Sequence, residues 1–161
     1  MEVVHFAVQQ VQEILRSEHG GLNEVFADVA VITGDEKYMR LAERFSHRAI
    51  LDPLIEKKDM LTGLHANTQI PKVIGFKRIA DLEEKQEWND AARFFWNMIV
   101  NERSVSIGGN SVREHFHPKD DFSSMISSEQ GPETCNTYNM LRLSHMLFLT
   151  EPNASYMDYY E

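Results

Sequence analysis

Cysteine is almost absent from this 161-residue chain: the single copy, Cys135, excludes an intrachain disulfide and leaves the redox compartment unread. No apolar run approaches the ~20 residues that a bilayer-crossing helix needs. The opening MEVVHFAVQQVQEIL lacks the basic start, apolar middle and small-residue cleavage site of a secretory signal, so localisation stays open. Basic residues are outnumbered, 16 Lys and Arg against 25 Asp and Glu, for a formal charge of -9. Phosphate binding needs a basic surface, and here Lys and Arg are interleaved with Asp and Glu. Nucleic acid is thereby excluded as a partner, a membrane span is excluded by length, and a neutral substrate fits better. What is present is a hydrophobic content of 42%, enough for one core of ordinary size.

Most of the chain carries helical periodicity. Val3, Val4, Phe6, Ala7, Val11, Ile14 and Leu15 form an apolar stripe that Gly20 and Gly21 stop. A second helix over 23–32 is apolar on nearly every side (Val25, Phe26, Val29, Ala30, Val31), which predicts a buried inner position. Asp35 can cap a third helix running through Tyr38, Leu41, Ala42, Phe45 and Ile50, with Pro53 soon after its end. A fourth is predicted over 67–81, with Asn67 as cap and Pro71 in the first turn. A fifth covers 86–102 on a packing face of Trp88, Ala91, Ala92, Phe95, Trp96 and Ile99, and a sixth covers about 133–149.

The joints between these helices resemble one another. Val31 to Phe45 and Phe148 to Glu161 both read apolar pair, Thr, capping residues, Tyr-Met, polar helix; Ala80 to Phe95 is a looser copy with Trp88 in place of the tyrosine. Inner helix, short turn and outer helix in repetition predict an all-α fold, part of an α/α toroid or a helical solenoid. A six-hairpin ring of ~50 residues per hairpin needs about 300 residues, roughly twice this chain.

The polar segment from Ser104 to Pro132 is far longer than the usual connection of about four to six residues, which marks it as a binding or catalytic loop. Gly108 and Gly109 would let backbone approach a ligand, or simply make a turn. Glu114, in Arg113-Glu114-His115-Phe116-His117, is a candidate general acid if Phe116 desolvates its carboxylate and raises its pKa; paired with Arg113 it would be an ordinary loop residue. Glu133 and Cys135 stand at the start of a helix, where carboxylate plus thiolate offers two zinc ligands, or else a favourable helix-dipole charge and a small buried residue. His115 and His117 could add metal ligands, or be a solvated pair in a polar loop. His65, and His19, Asn23 and Glu24, precede inner helices, as polar side chains lining a carbohydrate pocket would.

In order, EHGGLNE, TGDEKY, GLHANTQIPKVIG, FFWNMIV, SIGGNSVREHF and GPETCNTYNML resemble the catalytic domain of glycoside hydrolase family 127, the β-L-arabinofuranosidases, over essentially the whole chain. The resemblance implies an (α/α)6 barrel followed by β-rich domains, retaining hydrolysis of L-arabinofuranosides, and a zinc-bound cysteine nucleophile with a glutamate acid/base. It makes Glu114 the acid/base, Glu133 and Cys135 zinc ligands, and His65 a residue lining the sugar pocket; beside these, Asn23 and His115 are substrate-binding candidates. The family's nucleophilic cysteine and its neighbour have no counterpart here. Retention requires a nucleophile and zinc about four ligands. The expectation is therefore one domain over 1–161 that is an internal fragment, inactive alone, holding zinc weakly if at all, and associating, as a homo-oligomer or otherwise, through an exposed apolar face. Two readings from other classes stay open: a helical-repeat interaction module with a broad concave surface, and an (α/α)6 epimerase or lyase with a histidine or tyrosine base.

Overall fold

A computed structural model describes residues 8–17 and 19–161; the apolar residues before Val8 and Glu18 lie outside the described set. Among the described residues there are nine helices and no strand: α1 (Val8–Ile14), α2 (Leu22–Thr33), α3 (Glu36–Arg44), α4 (Arg48–Ile55), α5 (Ala66–Glu83), α6 (Gln86–Glu102), α7 (Ser123–Ser127), α8 (Thr134–Thr150) and α9 (Ala154–Tyr160). The fold is all-α, compatible with part of an α/α toroid.

Three hairpins, α2/α3, α5/α6 and α8/α9, fold at the three joints that look alike in sequence. The turn chemistry explains why. Gly34 closes α2 in the left-handed region at φ 68° and Asp35 accepts from the Lys37 amide at 2.9 Å to open α3. At the last joint Asn153 accepts from the Ser155 amide at 3.0 Å. The middle joint uses Glu84 at φ 54° instead of a glycine.

The first helix of each hairpin joins one inner row, α2 against α5 and α5 against α8. The row is parallel. Near the starts of α5 and α8, Asn139 donates to Asn67 at 2.8 Å; at their ends Thr150 accepts from Lys77 at 2.5 Å, and Lys77 also pairs with Asp81. Asn23 and Asp28 of α2 meet Lys72 and Arg78 of α5 in the same direction. All three inner helices thus present their amino ends, and the partial positive charge there, to one end of the molecule.

Several expectations are corrected. The third predicted helix is two, because the chain breaks at Phe45-Ser46-His47, where Ser46 turns its hydroxyl back onto Ala42 at 3.0 Å. Pro53 lies inside α4 rather than after it, and Pro71 is the sixth residue of α5 rather than in its first turn. The cap of α5 is His65, not Asn67: its Nδ1 accepts from the Thr68 amide at 3.3 Å. Helix α2 is buried on one face only, at Asn23, Ala27 and Ala30, while Val25, Val31 and Ile32 are exposed. Val11 in α1 and Leu15 just after it are buried, but Ile14 is exposed.

Candidate active site

The loop carrying Glu114 folds into a two-residue hairpin turn. Val112 and His115 exchange backbone hydrogen bonds, each 3.0 Å, around Arg113 and Glu114. Both central residues have positive φ, 47° and 68°, the conformation that such turns normally fill with Asn-Gly. Non-glycine residues held there store strain of about 1 kcal/mol each, which persists only where the surroundings enforce it. Three sets of contacts enforce it here. The Arg113 amide donates to Gln130 O at 3.1 Å, His115 Nδ1 meets Arg113 O at 2.6 Å, and the Ala66 amide donates to Glu114 O at 2.7 Å. The last contact places Glu114 at the first turn of α5.

His65 stands opposite. Since its Nδ1 accepts from Thr68, the ring carries its proton on Nε2, and that nitrogen lies 3.9 Å from Glu114 Oε2. The His65 and His115 rings meet edge to face at 5.3 Å. The expected desolvation of Glu114 is not found: its side chain is 59% exposed, while Phe116 turns the other way, into the core against Phe95. No ion pair forms between Glu114 and Arg113 among the described residues.

Glu133 is the N-cap residue of α8 rather than part of its first turn. The Cys135 thiol lies 3.7 Å from Glu133 Oε2, and burial, followed by that carboxylate, pushes it up from its ordinary value. Sulfur and oxygen donors side by side fit two corners of a tetrahedral zinc set; among the described residues no group of three His, Cys, Asp or Glu is gathered for a metal. His117 is not a third donor. It is buried, with Nε2 facing Arg103 O at 3.1 Å and Nδ1 facing Pro118 O at 2.6 Å. A cavity of about 500 Å³ brings the two carboxylates together, lined by Arg113, Glu114, Gln130, Gly131 and Glu133. A second cavity, about 730 Å³, lies elsewhere, between α6, α8 and α9; Gly108 lines it, but His65, Glu114, Glu133 and Cys135 do not.

Asn23 is not brought to this cavity. It is fully buried, donates to Lys72 O at 2.9 Å and fills the space over Gly75, where an added Cβ would come within 2.2 Å of its amide. Its place is in the α2–α5 seam. Gly109 likewise makes room for Pro132, which an added Cβ would meet at 2.3 Å, rather than for a ligand. Sequence reasoning missed the buried set Asn110, Ser111 and Asn136, in which Asn136 donates to Ser111 Oγ at 2.6 Å and ties the long loop to α8. It also missed Gln130 and the pair Asp59–Arg103. Periodicity carries no signal for residues whose partners sit on other segments.

Fold and cavity together define an α-helical domain with two carboxylates and a thiol at the amino ends of parallel inner helices. The sequence profile described as the β-L-arabinofuranosidase, GH127 catalytic domain matches residues 3–161, and the chain belongs to that family of glycoside hydrolases, whose substrates are carbohydrates. A comparison with curated proteins finds no match.

Proposed function

We propose that this domain serves a retaining glycosidase of L-arabinofuranosides in which Glu114 is the general acid/base. The observation that carries the reading is the shared cavity: an exposed carboxylate on an enforced turn at the start of α5 lines it together with Glu133, the residue that precedes α8. In the first step Glu114 donates its proton to the departing glycosidic oxygen. In the second it takes one from the attacking water. The Nε2–H of His65 is placed to hydrogen-bond either the Glu114 carboxylate or a sugar hydroxyl between them, and His115 flanks it. Glu133 and Cys135 would hold zinc, which when bound supplies a cationic centre that keeps a thiolate ionised and in place. The thiolate nucleophile and the remaining ligands would come from outside these 161 residues, so this chain alone should hydrolyse nothing.

Association is part of the same proposal. The outer flanks of the inner row carry exposed Val25 and Ile32 on α2 and exposed Tyr138 and Leu149 on α8, apolar surface of the kind that further protein covers.

The test uses the full-length protein. Glu114→Gln should lose roughly 10²–10⁴-fold in kcat/KM on alkyl or glycosyl arabinofuranosides and far less on activated aryl ones, because only a poor leaving group needs the proton. Glu133→Ala and Cys135→Ala should lose zinc and activity together. Equal losses by Glu114→Gln on both substrate types would overturn the acid/base role.

A further inference from the structure

A buried charge pair sits behind the Glu114 turn. Arg103, the residue after α6, is almost completely buried, and its Nη2 reaches Asp59 Oδ2 at 2.7 Å and Thr62 Oγ1 at 3.2 Å. Asp59 also accepts from the Leu61 amide at 3.1 Å, so it folds the 59–62 segment around the guanidinium. Immediately after that segment the chain joins the Glu114 loop by backbone bonds. The Gly63 amide donates to Phe116 O at 2.8 Å, the Phe116 amide to Leu64 O at 2.9 Å, and the Ala66 amide to Glu114 O. From the other side, His117 reaches the Arg103 carbonyl through Nε2. Arg103 therefore contacts side chains on both strips that hold Glu114, Asp59 and Thr62 through its guanidinium and His117 through its carbonyl.

The pair is poorly explained as a source of stability. Among the described residues Arg103 Nε and Nη1 have no hydrogen-bond partner although they are buried, and buried ion pairs with incomplete hydrogen bonding rarely repay their desolvation. What the arrangement does supply is register. It fixes α6, the 59–64 segment and the 114–117 strip against one another. A general acid works only within hydrogen-bond reach of the leaving oxygen, and displacements of about 1 Å in such a group cost on the order of 10²-fold.

We infer that Asp59 and Arg103 are positioning residues for proton donation by Glu114. The inference rests on the acid/base reading of Glu114. Loss of the pair lets the strained turn relax, and the carboxylate leaves its place beside His65 while the metal-holding groups Glu133 and Cys135 at the start of α8 stay where they are. Asp59 and Arg103 contact no substrate themselves.

The experiment compares Asp59→Asn, Arg103→Met and Arg103→Lys in the full-length enzyme with Glu114→Gln, using one arabinofuranoside with an alkyl leaving group and one with an activated aryl group. Asp59→Asn and Arg103→Met should lose about tenfold or more in kcat/KM on the alkyl substrate and less than about threefold on the aryl one. Arg103→Lys should recover most of the loss, since the charge pair is retained. Asp59→Asn keeps the shape and the Leu61 acceptor, so it serves where Arg103→Met does not fold. Parallel losses on both substrates, or none, would overturn the positioning role. If Glu114→Gln itself shows no difference between substrates, the acid/base reading falls and this inference with it; if Glu114→Gln shows the split and the Asp59 and Arg103 variants do not, this inference alone falls.

Discussion

The α5/α6 hairpin and the segment joining α6 to α8 follow opposite rules. Helices α5 and α6 bury twelve and seven of their residues and interlock through aromatic contacts such as Phe76 with Trp88. The segment from 104 to 132 contains one five-residue helix with nothing buried, two adjacent non-glycine residues at positive φ, and the carboxylate proposed for proton transfer. The hairpin spends its side chains on packing and so holds its own shape. The segment holds its shape by borrowing: Gly63, Leu64, Ala66 and Arg103 each bind part of it from elsewhere. A group meant to meet substrate has to stay exposed, so it cannot be fixed by burial of its own side chain.

If that division is right, the scaffold should fail by unfolding. Trp96 is buried, donates to Ser144 Oγ at 2.7 Å and stacks edge-on with Tyr156 at 4.7 Å. Trp96→Ala should cost about 3–5 kcal/mol, a large share of a typical domain's stability, measured by chemical denaturation. Gly75→Ala should cost about 2–4 kcal/mol, because its Cβ would meet the buried Asn23 amide and break that residue's bond to Lys72 O. Adding Asn23→Ala should recover part of the loss, and additive costs in the double variant would show that Asn23 is not the obstacle.

A buried basic cluster offers a pH test of the same scaffold. Lys72 Nζ lies 3.0 Å from His47 Nδ1 and 3.2 Å from Leu15 O. Burial, then the Lys72 charge, lowers the His47 pKa to about 4, and burial lowers that of Lys72 to about 8. The unfolded imidazole takes up a proton near 6.5 and the folded one resists until about 4. Stability is therefore retained above 6.5 and lost as pH falls toward 4, by an amount on the order of 2–3 kcal/mol. On the alkaline side, stability should rise between about 8 and 10.5 as Lys72 sheds its buried charge. His47→Gln should remove the acidic component from a denaturation series run at several pH values. An unchanged acidic slope would contradict it.

The two regions also differ in how far they could be read from sequence. The α6 face was legible residue by residue, because 3.6-residue periodicity reports burial directly. The three hairpins were legible from their joints, because turns and caps depend on local residue chemistry. Helix α2 misled, since apolar composition does not say what covers it: Val31 and Ile32 look like core and are exposed. At the site, Glu114 and Glu133 were identifiable as a pair through family resemblance, and their common cavity follows from the parallel row. The desolvation of Glu114 by Phe116 does not occur because Glu114 sits at positive φ in the turn, so the rule that residues i and i+2 of an extended strip share a face does not hold, and Phe116 packs into the core against Phe95. The Asp59–Arg103 pair was invisible, since nothing local to either residue announces a partner 44 positions away.

The smallest effect separates the two regions most cleanly. Glu84 and Arg113 both occupy the left-handed region, at φ 54° and 47°, the first closing α5 at the end away from Glu114 and the second beside Glu114 itself. Replacing either with glycine removes a steric cost of about 1 kcal/mol and adds back some unfolded-state entropy, for a net gain of about 0.5 kcal/mol. In a domain of this size that raises Tm by about 1–2 °C. Glu84→Gly should do so without altering activity of the full-length enzyme, since the cap has only to end a helix. Arg113→Gly should gain similar stability and lose activity on substrates with poor leaving groups, because the freed turn samples conformations in which Glu114 no longer faces His65. Thermal unfolding and kcat/KM measured on the same two preparations decide it. A stabilised Arg113→Gly with full activity would mean that the strain at the turn has no part in holding the acid in place.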